Sequence, residues 1–376
     1  MKHKTLTILI FLSYLFTQNV EFSREFSFDS NHATFKIFSD SLHYIVSNMA
    51  DEKHIKKTGI ILAVDEQKKM KDLIKLGEKN NYILSGTKTE DGDFLFIGYN
   101  KSNNDEWNKI YVVKTDKNFN FIWEKSYGAL NNDSKGYSIV ELNNNEFWIL
   151  AYTKTSKNGA LILKIDGDGN EKWFSYLPDL KCNFSNNMIK MNKKELIISG
   201  QNSNQLFVSK INDEGKILWQ YNYFDDNKYH RAYDIKKTID NGIIVVGNST
   251  KTEDYSFDVL LIKLSENGEE EWSQTFGNNT NEVAYDIEQN KNLEYIISGY
   301  ALIDKKEKIY NSFIIKADSI GNIIKRLDFN EKKSNQLYDV NIQYNHKTKT
   351  ESYIGTGNIF NENGNSEIWL IKAKLD

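Results

Sequence analysis

Of 376 residues, only one is cysteine, Cys182, and only one is proline. A lone thiol excludes an intramolecular disulfide framework and any cysteine-based zinc site. There is no basic excess: 48 Lys and Arg face 52 Asp and Glu, a formal net charge of −4. The electrostatic footprint of a nucleic-acid binder is therefore missing, and no nucleic-acid partner is expected. Beyond the N-terminus no segment approaches the ~20 consecutive apolar residues of a membrane-spanning helix. H-E-x-x-H, the G-x-S-x-G elbow, a P-loop and a dinucleotide fingerprint are also missing. What is present is a globular composition, 39% hydrophobic and 27% charged, which excludes intrinsic disorder. Aromatics reach 13%, with 21 Tyr and 21 Phe.

The N-terminus reads as an export signal. Met1 to Lys4 is basic, and Thr5 to Phe16 (TLTILIFLSYLF) is uncharged and mostly apolar. That run is too short to span a bilayer but suits a signal-peptide core of ~7–15 residues. Cleavage is expected between Thr17 and Ser23. Residues 1–20 are read as the signal and 21–376 as one domain, periplasmic, outer-membrane-associated or extracellular.

The rest of the chain repeats. Ala232 to Gly247 (AYDIKKTIDNGIIVVG), Ala284 to Gly299 (AYDIEQNKNLEYIISG) and Leu337 to Gly357 each pair an alternating strand with a more apolar strand ending in Gly. A third strand ending in Lys follows, then a Gly/Asn/Asp turn and Trp. The Lys-to-Trp step is the same for Lys114 and Trp123, Lys164 and Trp173, Lys210 and Trp219, and Lys263 and Trp272. Lys316 fits the frame, with Lys325 where Trp would stand, and Lys372 closes the series. Alternation puts one set of side chains on each face of a strand. A four-stranded sheet cannot cover both faces alone, so such sheets stack in series.

Seven units follow: 33–77, 81–128, 136–178, 183–226, 231–278, 282–330 and 335–376. The first is degenerate, and within it 65–76 is ambiguous between strand and helix. The seventh stops after its third strand. The isolated alternating segment Val20 to Phe28 supplies the missing fourth and closes the ring. The expected fold is all-β, a seven-bladed β-propeller of four-stranded antiparallel blades; eight blades or an open solenoid is the alternative.

The repeat resembles exported bacterial β-propeller proteins of the Bacteroidetes type, which carry D-G-G-Y-I-x-x-G, L-I-K-x-D and G-x-x-x-W. Asp240-Asn241-Gly242-Ile243 with Gly247, and Leu261-Ile262-Lys263 with Gly268 and Trp272, carry the likeness. It implies the propeller and export, and specifies blades rather than an active site. Gly169 to Trp173 and its equivalents are also similar to half of the quinoprotein docking motif. No cluster suited to a quinone and its calcium accompanies them, and no cofactor is expected.

The recurring lysines read as structural, reaching an Asp or an aromatic face; Asp234, Asp286 and Asp339 recur as possible partners. Asp166-Gly-Asp168-Gly-Asn170 resembles the start of a calcium loop but lacks its later Gly and Glu, and falls where every unit has a hairpin turn. No close histidine pair has metal spacing, and no metal is expected. Cys182 lies in an interblade connection and reads as a buried thiol.

Loops carry function on rigid scaffolds. The connections between second and third strands vary in length, and with the interblade connections they place Trp107, Asp226, Tyr229, His230, Tyr255 and Tyr310 around one channel mouth. These are the candidate binding residues; no catalytic residue is assigned. Two functions fit. The first is an exported, monomeric, non-enzymatic module that binds an envelope protein or polysaccharide. The second is a carbohydrate-active hydrolase or lyase on the same scaffold, using acids at the mouth.

Overall fold

The computed structural model describes residues 19–375 except 29–30, 40–41, 51–56, 78–79, 102–106, 129–131, 144, 155–158, 178–183, 226–227, 252–255, 278–280 and 331–332. The proposed signal core and Cys182 lie outside the described residues.

Twenty-eight strands form seven four-stranded antiparallel sheets. Six sheets use four consecutive strands. The seventh takes Asn335–Asn345, Thr350–Phe360 and Ser366–Ala373, then Val20–Phe26 from the other end of the chain. The ring therefore closes as the sequence implies. Trp369 Nε1 donates to Ser23 Oγ at 2.8 Å across this seam, and the Lys374 N–H donates to the Asn19 carbonyl at 2.7 Å. The ambiguous stretch of the first unit is a strand, Met70–Leu76, so the helical reading is set aside.

The core is distributed. Among the described residues, seven apolar clusters form, one between each pair of neighbouring blades. Ile244, Val246 and Leu261 of blade 5, for example, pack on Ala284, Ile297 and Phe313 of blade 6. Each such side chain contributes about 1.5–3 kcal/mol on burial, so the stack rather than the single sheet is the folding unit.

The recurring spacing of Lys and Trp now has two physical causes. The tryptophans lie under the next blade's outer hairpin. A Cβ on Gly169, Gly215, Gly268 or Gly321 would come within 2.9, 2.5, 2.6 or 2.6 Å of Trp123, Trp173, Trp219 or Trp272. Those glycines have φ between 74° and 84°, so the turn and the Trp contact both require Gly. The lysines pair with acids of their own blade: Lys164 with Glu146 at 2.9 Å, Lys210 with Glu195 at 2.8 Å, Lys263 with Asp240 at 3.0 Å, Lys316 with Glu294 at 2.8 Å. Asp234, Asp286 and Asp339 are not their partners, which corrects that pairing. Asp166 behaves as a turn residue: its Oδ1 accepts the N–H groups of Asp168 and Asn170 at 3.1 and 2.7 Å. The Asn170 N–H, with Lys172 beside it, holds the carboxyl at about 2.

Candidate functional site

The seven innermost strands surround the central channel. They are Asn31–Ser39, Asn81–Lys88, Asp133–Asn143, Phe184–Asn192, Lys228–Lys237, Asn281–Gln289 and Asn335–Asn345. Every one of them breaks register at the same point: 34/36, 83/85, 136/138, 185/187, 232/234, 284/286 and 337/339. These are β-bulges, each with one inserted residue, and a bulge re-aims its side chain. Six of the inserted residues, Phe35, Leu84, Tyr137, Tyr233, Tyr285 and Tyr338, line a central cavity of about 420 Å³.

The recurring Gly at the end of the second strand makes room for this bulge. Gly98, Gly247, Gly299 and Gly357 pair with the residue just before it. A Cβ on any of them would lie 1.9–2.1 Å from a carbonyl oxygen of the inner strand. In these four blades the glycine leaves room for the bulge, whereas in blades 1 and 3 the same bulge, carrying Phe35 and Tyr137, faces Ser47 and Ala151.

Tyrosines dominate the throat. Tyr285 is the hub: its ring centroid lies 4.7 Å from Tyr233, 5.0 Å from Tyr338 and 5.4 Å from Tyr300. The Tyr285 and Tyr300 hydroxyls are 3.1 Å apart. Tyr82 stacks on Tyr99 at 5.3 Å on the opposite side. Burial raises the phenol pKa of Tyr82, Tyr137, Tyr233, Tyr285 and Tyr338, and that of Tyr99 to about 12. All stay neutral near pH 7, as hydrogen-bonding faces rather than charges.

Next to the tyrosines lies a buried charged layer. Asp339 Oδ1 accepts from Lys36 Nζ at 2.8 Å and its Oδ2 accepts the Ile37 N–H at 2.9 Å. Asp286 Oδ2 accepts the Val340 N–H at 3.1 Å, and Asp234 Oδ2 accepts the Ile287 N–H at 3.4 Å. Ser138 Oγ does the same for Met188 at 3.2 Å. Each of these side chains therefore ties its inner strand to the next blade's. Lys236 Nζ lies 2.7 Å from Glu288, 3.4 Å from Asp286 and 3.5 Å from Asp234. Burial raises Asp339 to about 7, with Asp286 adding to the rise and Lys36 opposing it. Burial also opposes ionisation of Asp286, but Lys236 and Lys36 outweigh it and hold that carboxyl below its usual value.

The candidate residues read from the loops divide. Asp226 and Tyr255 lie outside the described residues. Trp107 is exposed outside any strand, and Tyr229 is exposed at the start of the blade 5 inner strand. Tyr310 lies on a strand, Ile309–Ala317, with its ring 5.3 Å from Tyr300, and so joins the tyrosine cluster. His230 is not a loop residue. It sits in the inner strand, 1% exposed, 4.8 Å from the Tyr223 ring, and burial lowers its pKa to about 4. That correction follows from strand alternation, which turns residue 230 into the interblade core, while Tyr233 reaches the cavity through the bulge that follows.

No protein-family model matches the chain, and no curated protein matches its sequence. Solved structures do. The polysaccharide lyase Uly1 aligns with TM-score 0.54 at 9% identity, over 95% of this chain and all of that one. YCF48 bound to D1 peptide gives 0.53 at 12%, over 96% of each. The propeller domain of the Trilobed protease from Pyrococcus furiosus gives 0.51 at 10%, over 93% and 97%. The likeness is one of fold. A lyase, a peptide binder and a protease domain share this ring, so function must be argued from the throat.

The throat tyrosines were absent from the sequence-based candidates. The signal was nonetheless printed in the repeat: Tyr precedes Asp in AYD, AYD and LYD at 233, 285 and 338.

Proposed function

We propose that the protein is a non-enzymatic binding module whose site is the tyrosine-lined throat, acting after export as a monomer in the cell envelope. One observation carries the reading: seven bulges at one point of seven strands direct six side chains, four of them tyrosine, into one cavity. Bulges cost ladder hydrogen bonds, and folds keep them where a side chain must be re-aimed. Tyrosine offers a large rigid face and a polar edge at low conformational cost, which suits recognition of a protein segment or a glycan.

The acids of the cavity wall support binding over catalysis. Oxygens of Asp234, Asp286 and Asp339 accept N–H groups of the neighbouring inner strand. A general acid or base needs its proton directed at substrate. The second reading, a carbohydrate-active enzyme, draws on the place of Asp339 in the cavity wall, where burial raises its carboxyl well above the usual value.

The experiment is affinity capture from the native envelope with the wild type and with Tyr285→Ala and Tyr338→Ala, each first shown to be folded by its melting transition. We expect a partner held by the wild type and lost by both variants, with no turnover of envelope glycans. Turnover abolished by Asp339→Asn would establish the enzyme instead.

A further inference from the structure

We infer that the throat takes the side-chain ammonium of a lysine from a protein segment, seated where the Tyr285 and Tyr338 rings meet, next to the carboxylates of Asp286 and Asp339. The inference rests on the throat reading above and specifies the partner's chemistry.

The first observation is the charge of one layer. The residue after each bulge holds the same place in every blade. In blades 2 to 4 it is neutral, Ser85, Ser138 and Asn187; in blades 5 to 7 it is Asp234, Asp286 and Asp339; in blade 1 it is Lys36. The cavity wall therefore carries three carboxylates against one ammonium, on four adjacent blades. Lys236 adds a second cation, but Glu288 binds it at 2.7 Å. Four acids thus share two lysines, and the layer is short of positive charge. The shortage is met with protons. Burial raises Asp339 to about 7 and Asp234 well above its usual range; Asp286 adds to both rises, and Lys36 and Lys236 oppose them. A basic side chain entering the throat brings the missing charge in place of those protons.

The second observation is an aromatic corner. The Tyr285 and Tyr338 rings both line the cavity, with centroids 5.0 Å apart and planes at 81°. Two perpendicular phenol rings can offer their faces to one ammonium, which the ring quadrupole attracts within ~6 Å. Rings around the throat already serve the protein's own cations in this way. Lys57 Nζ lies 4.8 Å from the Tyr82 ring centroid, Lys135 Nζ 4.8 Å from that of Tyr99, and Arg231 Cζ 4.9 Å from that of Tyr233. The Arg231 charge reaches Tyr137, Tyr233 and Tyr285, where it lowers the phenol pKa against the larger rise from burial. At Tyr338 burial is joined instead by the phenols of Tyr285, Tyr82 and Tyr310. The repulsion from Arg231 therefore sets the cation toward Tyr338 and Asp339.

The polar groups of the wall favour a lysine over an amino sugar. A sugar brings a rim of hydroxyls that need hydrogen-bond partners. The wall's amides are engaged within the fold. Asn48 exchanges two bonds of 2.7 Å with the backbone of Ile83. Asn358 accepts the Thr34 N–H at 3.0 Å and donates to the His32 carbonyl at 3.3 Å. The Tyr338 hydroxyl donates to Gln336 Oε1 at 2.6 Å. A lysine has no such rim: its methylene stem packs on apolar surface, which Phe35 and Leu84 supply, while its head reaches charge.

The test is calorimetric titration of the purified protein with four probes: a capped glycine heptapeptide with one central lysine, the same peptide with norleucine, the same with glutamate, and a glucosamine trisaccharide. We expect the lysine peptide to bind at least about tenfold more tightly than each of the others. Its binding should tighten as pH rises from about 5.5 to about 8 and should release protons, read as a heat that changes with the buffer's ionisation. The protons come from the group Asp234, Asp286 and Asp339, which faces Lys36 and Lys236. Asp339→Asn should weaken binding about tenfold and remove most of the pH dependence. Tyr338→Phe keeps the ring and should bind nearly as well, whereas Tyr338→Leu should not. Phe174→Ser, on an outer blade edge, should leave binding unchanged. Equal binding of the norleucine peptide, still lost in Tyr338→Leu, overturns the cation inference and leaves the throat reading intact. Preference for the glutamate peptide does the same, and preference for the trisaccharide overturns the protein assignment. Binding of no probe overturns the inference. If the envelope partner is also retained by Tyr285→Ala and Tyr338→Ala, the throat reading falls with it.

Discussion

A Cβ placed on Gly247 would lie 1.9 Å from the carbonyl oxygen of Arg231. Backbone at that distance cannot yield without moving the bulge that presents Tyr233. Gly247→Ala should therefore destabilise the protein by about 1–3 kcal/mol or more, the range for overpacking a well-filled site. Urea unfolding followed by tryptophan fluorescence measures it; an unchanged midpoint would show that the glycine is not there to admit the bulge.

The interblade tryptophans should be unequal to an added one. Trp219 is half-buried beneath Gly268, and Trp219→Ala should cost about 2–4 kcal/mol, at or below the range for fully buried aromatics. Lys325→Trp should gain nothing, because blade 7 receives its outer strand from the N-terminus and offers no outer hairpin glycine to cover the ring. Denaturation midpoints of the two variants decide this, and stabilisation by Lys325→Trp would contradict it.

Stability should respond to pH through two buried histidines. Burial lowers His32 and His230 from the ordinary 6.5 to about 4. Between those values the unfolded chain binds protons that the folded chain refuses, so their contribution is full above 6.5 and is lost as pH falls toward 4. The loss is of the order of 3 kcal/mol per histidine. Asp339, raised to about 7, acts in reverse: its contribution is full below the usual 3.8 and is lost as pH rises to 7. His230→Gln should flatten the acid decline in unfolding midpoint and Asp339→Asn should steepen it. Opposite slopes would refute both assignments.

The proposed export is constrained by the fold at the N-terminus. The Thr17–Ser23 cleavage window overlaps the closing strand, which starts at Val20 and whose neighbour Asn19 accepts the Lys374 N–H. Cleavage beyond residue 19 would remove ladder bonds from the seam and uncover an edge strand. Mass spectrometry of the exported protein should find a mature N-terminus no later than Asn19. A stable monomer beginning at Arg24 would show that the seam is dispensable.

The architecture was legible because its signals are covalent and periodic. The Lys-to-Trp step, the hairpin glycines and the unpaired strand at Val20 all survive in one dimension. The site was less legible because a bulge is a backbone event. Tyr233 followed by Asp234 reads as plain alternation, which sends the two side chains to opposite faces. The register break between Ala232 and Asp234, opposite Gly247 and Val246, brings both Tyr233 and Asp234 to the cavity wall. Conversely, Tyr229 and His230 read as loop because Asp225, Asp226 and Asn227 precede them, whereas the inner strand begins at Lys228. The six loop candidates followed chain length between strands, which locates variability and not the direction of a side chain.

The central claim is that the throat, not the loop rim, binds the partner. The direct measurement is partner affinity for two variants. Leu84→Trp fills the cavity from its wall; Trp107→Ala with Tyr229→Ala strips the exposed rim aromatics. Loss of binding in Leu84→Trp with full binding in the rim variant is the expected result. Full binding in Leu84→Trp with loss in the rim variant would contradict it.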